Sequence, residues 1–238
     1  MQVFYNSKSI KDYLSTLKEN KNVGFVPTMG ALHAGHLSLA KQAKAENDVV
    51  VVSIFVNPTQ FDKLEDLNKY PRTTEKDLEL LQSINCDIVF MPTVNEMYDK
   101  NIKSEHFDFG GIEFEMEGKF RKGHFDGVGT IVKRFFEIIK PHKAYFGEKD
   151  FQQLQIVKKL VEINNLPVKI IGCDIFREED GLAMSSRNIR LSEKQRKAAP
   201  FIYEILLETK KKFGIISVNE IKQWVEQQFT NNNFLKLE

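Results

Sequence analysis

The run of residues 49–56 (VVVVSIFV) constrains the fold more than any other part of this chain. Nearly every position in the run is apolar and most are β-branched, which favours an extended strand. A continuous apolar strand, with no polar residues at alternate positions, is typical of the centre of a parallel sheet. The run therefore predicts a central strand that is covered on both faces.

Apolar runs and helical patterns alternate along the chain on both sides of this strand. Further strands are predicted at 23–26, 88–91, 144–146 and 168–171. Apolar residues at helical spacing predict helices at 35–47, 74–84, 126–139 and 151–164, and Ser7 is placed to cap a helix near the N-terminus. This alternation predicts an α/β fold, a Rossmann-like parallel sheet with crossover helices.

The sequence changes character after about residue 175. Ser192 is placed to cap a helix that reaches towards Phe213, and Ser217 to cap another over 218–229. We therefore expect a Rossmann-like domain at 1–175 and a smaller, lid-like C-terminal α+β domain at 176–238. The last residues, 234–238 (FLKLE), are strand-like, so we expect this second domain to be truncated.

The composition narrows the class of protein. Apolar residues make up 42% of the chain and charged residues 28%, which is ordinary for a soluble globular protein. A formal net charge of +1 gives no electrostatic footprint for nucleic acid, and no apolar run approaches the ~18 residues that a membrane span requires. The N-terminus has no apolar core of the signal-peptide type. Two cysteines, Cys86 and Cys173, are too few for a disulfide framework or a thiolate metal site, so we expect a cytoplasmic protein.

The segment 27–36 (PTMGALHAGH) joins a predicted strand to a predicted helix through a glycine-containing turn. Such a helix start directs backbone N–H groups and the positive end of the helix dipole at an anion. His33 and His36 are three residues apart and share one face of the first turn, while Gly35 has no side chain to block a ligand. The pattern predicts a nucleotide-phosphate site, although two surface histidines at a helix start would give the same letters.

Two later segments carry complementary groups. Residues 146–153 (FGEKDFQQ) follow another predicted strand, and residues 181–188 (GLAMSSRN) form a glycine-started loop. Lysine binds phosphate as a point charge, arginine as a planar fork, and serine through its hydroxyl. Each segment alone is more typical of a solvated loop. Because ligands collect at the carboxyl ends of parallel strands, the segments after strands 23–26, 49–56 and 144–146 are expected to converge.

The HxGH sequence and the late MSSR loop resemble the HIGH and KMSKS pair of the class I nucleotidyltransferase superfamily. The strings VPTMGALHAGH, SIFVNPTQF, YPRT, GHFDGV, FGEKDFQQL and DGLAMSSRN are similar to those of the pantothenate synthetase (pantoate–β-alanine ligase) family over about residues 23–191. The resemblance implies an ATP-dependent condensation of (R)-pantoate with β-alanine through pantoyl adenylate, with release of AMP and pyrophosphate. It also implies Mg²⁺ with the ATP and a homodimer.

The resemblance assigns roles to particular positions. His36, as proton donor, would act with His33, Lys149 and Arg187 in catalysis, and a modest push from its surroundings would charge it near neutral pH. Gln60 and Gln153 would hold pantoate, and Asn57 would bind substrate, orient Gln60 or close the turn before Pro58. Phe176 would make backbone contacts to adenine, although a core aromatic is at least as consistent with its place in the sequence. The other positions implied to meet the nucleotide are Met29, Gly30, Ala31, Leu32, Ala34, Gly35, Gly147, Glu148, Asp150, Met184, Ser185 and Ser186.

Mg²⁺ would be held largely by phosphate oxygens and water. Asp77 is a candidate to help through water, but the adjacent Lys76 weakens that case, and no protein ligand is predicted.

Other functions remain open at this point. A different HxGH nucleotidyltransferase, such as a cytidylyltransferase or a pantetheine-phosphate adenylyltransferase, would share the histidines but is not expected to carry FGEKDFQQL and NPTQF together. A nucleotide-binding protein with impaired turnover would follow if a shortened C-terminus prevented closure. The stretch 107–125 contains five phenylalanines and an isoleucine that predict either a dimer surface or part of the chain's own core: Phe107, Phe109, Ile112, Phe114, Phe120 and Phe125.

Overall fold

A computed structural model describes residues 1–17, 20–61, 64–98, 101–230 and 232–237. In chain order the strands and α-helices are β1 (Gln2–Phe4), α1 (Ser7–Ser15), β2 (Val23–Thr28), α2 (Ala34–Glu46), β3 (Val49–Ile54), α3 (Leu64–Lys69), α4 (Thr74–Ser83), β4 (Ile88–Phe90), α5 (Val94–Met97), α6 (Met116–Phe120), α7 (His124–Ile139), β5 (Lys143–Gly147), α8 (Phe151–Ile163), β6 (Lys169–Cys173), α9 (Glu193–Ala198), α10 (Phe201–Lys212) and α11 (Val218–Thr230).

The six strands form one parallel sheet in the order β1-β4-β3-β2-β5-β6. The valines of β3 are at most 6% exposed and alternate between the two faces of the sheet. Val49 and Val51 pack with residues of α1, α7 and α8, whereas Val50 and Val52 pack with residues of α2 and α4. The predicted α/β fold and the doubly covered central strand are therefore confirmed.

Three local features differ from the sequence prediction. The edge strand β1 is only three residues long, too short to give a periodic signal, and it pairs with β4. Asn6, and not Ser7, caps α1, because its side-chain oxygen accepts a hydrogen bond from the Ser9 N–H at 2.8 Å. The helix predicted from Ser192 to Phe213 is two helices, since Pro200 lacks an N–H group and starts α10 after α9 has ended.

The chain divides into two compact units, Met1–Asp174 and Ile175–Glu238. The described part of the second unit contains α9, α10 and α11 and two isolated β-bridges, Arg177 to Ala183 and Phe213 to Ile216. Of residues 234–238, predicted to be strand-like, 238 lies outside the described residues; 234–237 are irregular, and no bridge pairs them with another described residue. None of the described helices has the length and hydrophobicity to cross a membrane.

The aromatic stretch between 107 and 125 lies only partly in the core of the first unit. Phe107, Phe109 and Phe125 are buried in the core of the first unit, where they pack with α7. Phe114 and Phe120, in contrast, are more than half exposed. The stretch is therefore core at its two ends and surface in its middle.

Candidate active site

The strand order reverses at β2. From β2 the chain proceeds through β3 to β4 on one side, and it then returns to place β5 and β6 on the other. In open parallel sheets, ligands bind outside the carboxyl ends of the strands at this switch point. The turn that carries His33 and His36 leaves the sheet after β2, and the turn that carries Lys149 leaves it after β5. The topology thus directs two of the sequence motifs to one place.

Hydrogen bonds fix the positions of His33 and His36 at the start of α2. His33 is the N-cap residue, and its Nδ1 accepts a hydrogen bond from the Gly35 N–H at 3.1 Å. The His33 N–H donates in turn to Nδ1 of His36 at 3.4 Å, and the two ring centroids are 4.0 Å apart. A neutral imidazole whose Nδ1 accepts a hydrogen bond carries its hydrogen on Nε2. The hydrogen bonds therefore assign both rings as Nε2–H donors.

The surroundings of His36 favour its neutral form at pH 7. Burial of the ring, followed by the charges of His33 and Lys149, lowers the pKa of His36 from 6.5 to about 3. The surroundings of His36 therefore do not supply the push that would charge it near neutral pH, because they lower its pKa instead of raising it. Because Lys149 is one of the charges that lower this pKa, its ammonium group lies within electrostatic range of the His36 ring. A neutral ring donates a hydrogen bond to phosphate but carries no full positive charge.

The low pKa makes stability depend on pH through His36. An unfolded histidine takes up a proton near pH 6.5, whereas folded His36 does so only near pH 3. The stability that this group contributes is therefore complete above about pH 6.5 and is lost as the pH falls towards 3. We expect that lowering the pH from 7 to 5 costs the wild type about 2 kcal/mol more than it costs His36→Gln. Urea unfolding at the two pH values measures the difference, and equal losses in both proteins would contradict the assignment.

Lys149 is available to an anion. Its Nζ pairs with Oδ1 of Asp150 at 3.0 Å, and the side chains are 36% and 54% exposed. An ion pair this exposed contributes little to stability, so the ammonium group can turn to a phosphate at small cost.

The loop after β3 presents Gln60 and is held from behind by Asn57. Asn57 is 1% exposed; its Nδ2 donates to the Gly127 carbonyl at 3.1 Å, and its Oδ1 accepts from the Tyr98 hydroxyl at 2.5 Å. The Gln60 carbonyl accepts from Arg121 at 3.0 Å and is 2.8 Å from Nδ1 of buried His124. Direct binding of substrate by Asn57 is therefore corrected to support of the loop, because its polar atoms are buried and engaged.

The neighbouring residues Gln152 and Gln153, at the start of α8, differ in their hydrogen bonds. Gln152 is buried; its Oε1 accepts from the Glu117 N–H at 2.9 Å, and its Nε2 donates to the carbonyls of Ile112 and Glu115. Within the described residues, neither the Gln153 side chain nor the Gln60 side chain makes a hydrogen bond. Two amides after the strands that flank β2 thus remain available, whereas Gln152 is part of the framework. The framework residues Gln152, Tyr98, Arg121 and His124 were not identified from the sequence. For His124, the motif GHFDGV was the available signal.

Close packing at Gly127 offers a test of the support behind the Gln60 loop. A Cβ atom at Gly127 would lie 2.4 Å from the Thr59 carbonyl oxygen, which is backbone and cannot yield cheaply. We expect Gly127→Ala to lose roughly 1–3 kcal/mol of unfolding free energy. Gly129→Ala is the matched control on the same helix, since the atoms nearest to its Cβ would be side-chain ring atoms of Phe107 and Phe109, at 2.9 to 3.1 Å, and not backbone. Denaturant unfolding that ranks Gly129→Ala as the more damaged variant would contradict this account.

In the second unit, residues 176–184 form a short hairpin. The Met184 N–H donates to the Phe176 carbonyl at 3.0 Å, and Gly181 turns the chain with a φ of +87°. Arg196 of α9 fixes the hairpin through Glu178 and Asp180, at 2.6 Å and 2.5 Å. Phe176 is 41% exposed, so its interpretation as a core aromatic is wrong. A surface cavity of about 530 Å³ is lined by Phe176, Arg177, Glu178, Glu179, Asp180, Met184 and Arg196.

The parallel sheet and the paired histidine donors at its switch point define a nucleotide-binding α/β protein of the HxGH nucleotidyltransferase class. A sequence profile of the pantoate-beta-alanine ligase family matches residues 2–238. The chain belongs to this family.

Relatives and solved structures agree with this assignment. The chain is 57% identical to a pantothenate synthetase of Christiangramia forsetii and 54% identical to one of Flavobacterium psychrophilum, with all of this chain and 85% of each relative covered. The crystal structure of pantoate-beta-alanine ligase (pantothenate synthetase) from Thermus thermophilus superimposes with a TM-score of 0.91 at 43% identity, over 98% of this chain and 83% of that one. The Francisella tularensis pantoate-beta-alanine ligase, solved with beta-gamma ATP and beta-alanine, gives 0.85 at 40% identity, over 95% and 85%.

Proposed function

We propose that this chain joins (R)-pantoate to β-alanine at the expense of ATP, in two steps. In the first, the pantoate carboxylate attacks the α-phosphate of ATP, so that pantoyl adenylate forms and pyrophosphate leaves. In the second, the β-alanine amine attacks the acyl carbon, AMP leaves and the amide bond of pantothenate remains. The observation that carries the proposal is the pair of Nε2–H donors within electrostatic range of Lys149, at the switch point of a chain in the pantoate-beta-alanine ligase family.

The described residues support each part of the first step. His33 and His36 are fixed as hydrogen-bond donors for phosphate oxygens, and Lys149 supplies positive charge next to them. Donors that are already oriented stabilise charge that develops in a transition state without reorganising. The available amides of Gln60 and Gln153 match a small hydroxy acid, which needs groups that both donate and accept. From the second unit, we propose that Ser185, Ser186 and Arg187 add hydrogen bonds and positive charge to the nucleotide.

ATP enters this scheme as its magnesium complex. In the described residues there is no group of three or more His, Cys, Asp or Glu side chains that could hold a metal ion. Both oxygens of the Asp77 carboxylate already accept backbone N–H groups. We therefore propose that Mg²⁺ belongs to the substrate and is held by phosphate oxygens and water, as it commonly is at ATP sites.

Pyrophosphate exchange into ATP tests the first step alone. We expect exchange with (R)-pantoate, none without an acid, and little with (S)-pantoate or another small hydroxy acid at the same concentration. Addition of β-alanine should then yield AMP and pantothenate in equal amounts. Equal exchange with unrelated acids would remove the pantoate assignment but leave nucleotide binding in place.

We also propose that the enzyme is a homodimer and acts in the cytoplasm. Four large apolar side chains of the first unit, each more than half exposed, suggest a self-association surface: Phe114, Met116, Phe120 and Phe151. Cys86 and Cys173 are both free thiols, which suits a reducing compartment.

Sedimentation at micromolar concentration should give a mass near twice 27.6 kDa. Phe114→Glu should shift the protein towards the monomer, because a charge would then have to be buried. Ile189→Glu is the control, since Ile189 is 79% exposed in the second unit. A monomeric wild type would contradict the dimer and leave the reaction unaffected.

A further inference from the structure

A buried carboxylate, Asp77, holds the turn before the two histidines. Asp77 lies in the first turn of α4 and is 1% exposed. Its Oδ2 accepts from the Ala31 N–H at 2.9 Å, and its Oδ1 accepts from the Leu32 N–H at 2.8 Å. The Thr73 hydroxyl donates a third hydrogen bond to Oδ1 at 3.0 Å. The carboxylate thus bridges two elements that are far apart in sequence, and both of its oxygens are engaged.

The backbone of this turn does not hold its shape without help. Gly30 and Ala31 have φ values of +80° and +50°, so two successive residues are left-handed. A left-handed conformation is accessible to glycine but strains alanine, and it persists only where the surroundings enforce it. Asp77 accepts hydrogen bonds from the backbone N–H groups of Ala31, which is one of these two residues, and of Leu32, which follows it. The carboxylate therefore stabilises the strained form of the turn.

The hydrogen bonds continue from this turn to the imidazole of His36. Leu32 is followed directly by His33, the N-cap of α2, whose N–H donates to Nδ1 of His36. That hydrogen bond fixes both the ring orientation and the tautomer of His36. A shift of residues 31 and 32 would displace the His33 N–H and release the ring.

We propose that Asp77 is a positioning residue, which holds residues 31–32 so that His36 presents its Nε2–H to the nucleotide phosphates. The assignment of the phosphates rests on the proposed function, whereas the fixed tautomer of His36 does not. Asp77 acts through the backbone of the turn and touches no substrate.

The test compares Asp77→Asn with Asp87→Asn. The second variant is matched, because the Asp87 carboxylate also accepts a backbone N–H, from Val50 at 2.8 Å, and pairs with Lys44, but it lies at the amino ends of the strands. We expect Asp77→Asn to lower kcat for pyrophosphate exchange by about 10²-fold, with a much smaller change in KM for ATP. Ring ¹⁵N shifts of His36 should report the Nε2–H tautomer in the wild type and in Asp87→Asn, and a mixture of tautomers in Asp77→Asn.

Several outcomes would overturn the proposal. These are an Asp77→Asn enzyme with wild-type kcat, an equal loss in Asp87→Asn, an unchanged His36 tautomer, or a raised Mg²⁺ requirement, which would indicate a metal role. If Asp77→Asn does not fold, Thr73→Val decides with the same measurements, because it removes one hydrogen bond to Oδ1 and is expected to lower kcat about fivefold to tenfold. If the wild type shows no exchange, the proposed function fails, and the tautomer measurement still tests Asp77.

Discussion

Replacement of His36 by alanine should lower kcat for pantoate-dependent pyrophosphate exchange by about 10²–10³-fold, the usual cost of losing one oriented donor. His36 is neutral, and its Nδ1 is held by the His33 N–H, so its contribution is a fixed Nε2–H group. Such a donor stabilises the transition state more than the bound substrate, because negative charge accumulates on the α-phosphate as pyrophosphate departs. We therefore expect a much smaller change in ATP affinity, measured by calorimetry without pantoate.

The control for this variant is His106→Ala. His106 is exposed and pairs with Asp126 on the surface of the first unit, so its removal should leave turnover unchanged. If His36→Ala weakened ATP binding as much as it slowed turnover, the histidine would bind the ground state, and its role in the transition state would be refuted.

Replacement of Gln153 by alanine should raise KM for pantoate by about 10–100-fold, since both a donor and an acceptor for the acid would be lost. The change should be specific for pantoate, because Gln153 makes no hydrogen bond to another described residue and its loss leaves the framework intact. Steady-state kinetics with each substrate varied in turn measures the effect.

Gln152 and Gln155, on the same helix as Gln153, provide control variants for this experiment. Gln152→Ala would leave the Glu117 N–H and the carbonyls of Ile112 and Glu115 without their partner, so we expect a loss of stability before any loss of pantoate affinity. Gln155→Ala, further along α8, should change neither quantity. A Gln153→Ala enzyme with normal pantoate KM but lowered stability would show that the two roles had been exchanged.

The fold was largely predictable because its strongest signals are local. The valines of β3 specify a doubly covered strand, and the alternation of short apolar runs with helical periodicity specifies crossover helices around it. The failures occurred where a local signal was absent or ambiguous. β1 has three residues and is stabilised by pairing with β4, while α9 and α10 share a helical pattern that only Pro200 interrupts.

The site was predictable at the level of segments and less so at the level of side chains. HxGH, NPTQ and GEKD follow strands, so a parallel sheet brings their backbones to one edge whatever their details. Which of two nearby polar residues faces the interior depends on how the turn that carries them packs against other parts of the chain. Asn57 and Gln152 are therefore framework residues, although residues of the same chemical kind lie close to them in sequence, at Gln60 and Gln153.

The sequence by itself determined the sheet, the helix that follows the histidine turn and the types of chemical group that lie near the carboxyl ends of the strands. Only the tertiary structure decided that His36 is neutral, which tautomer it adopts and what holds the left-handed turn before it. These properties arise from burial, from the charge of Lys149 and from the carboxylate of Asp77. Electrostatic and hydrogen-bonding effects depend on distances in space, and those distances are set by packing between parts of the chain that no local pattern connects.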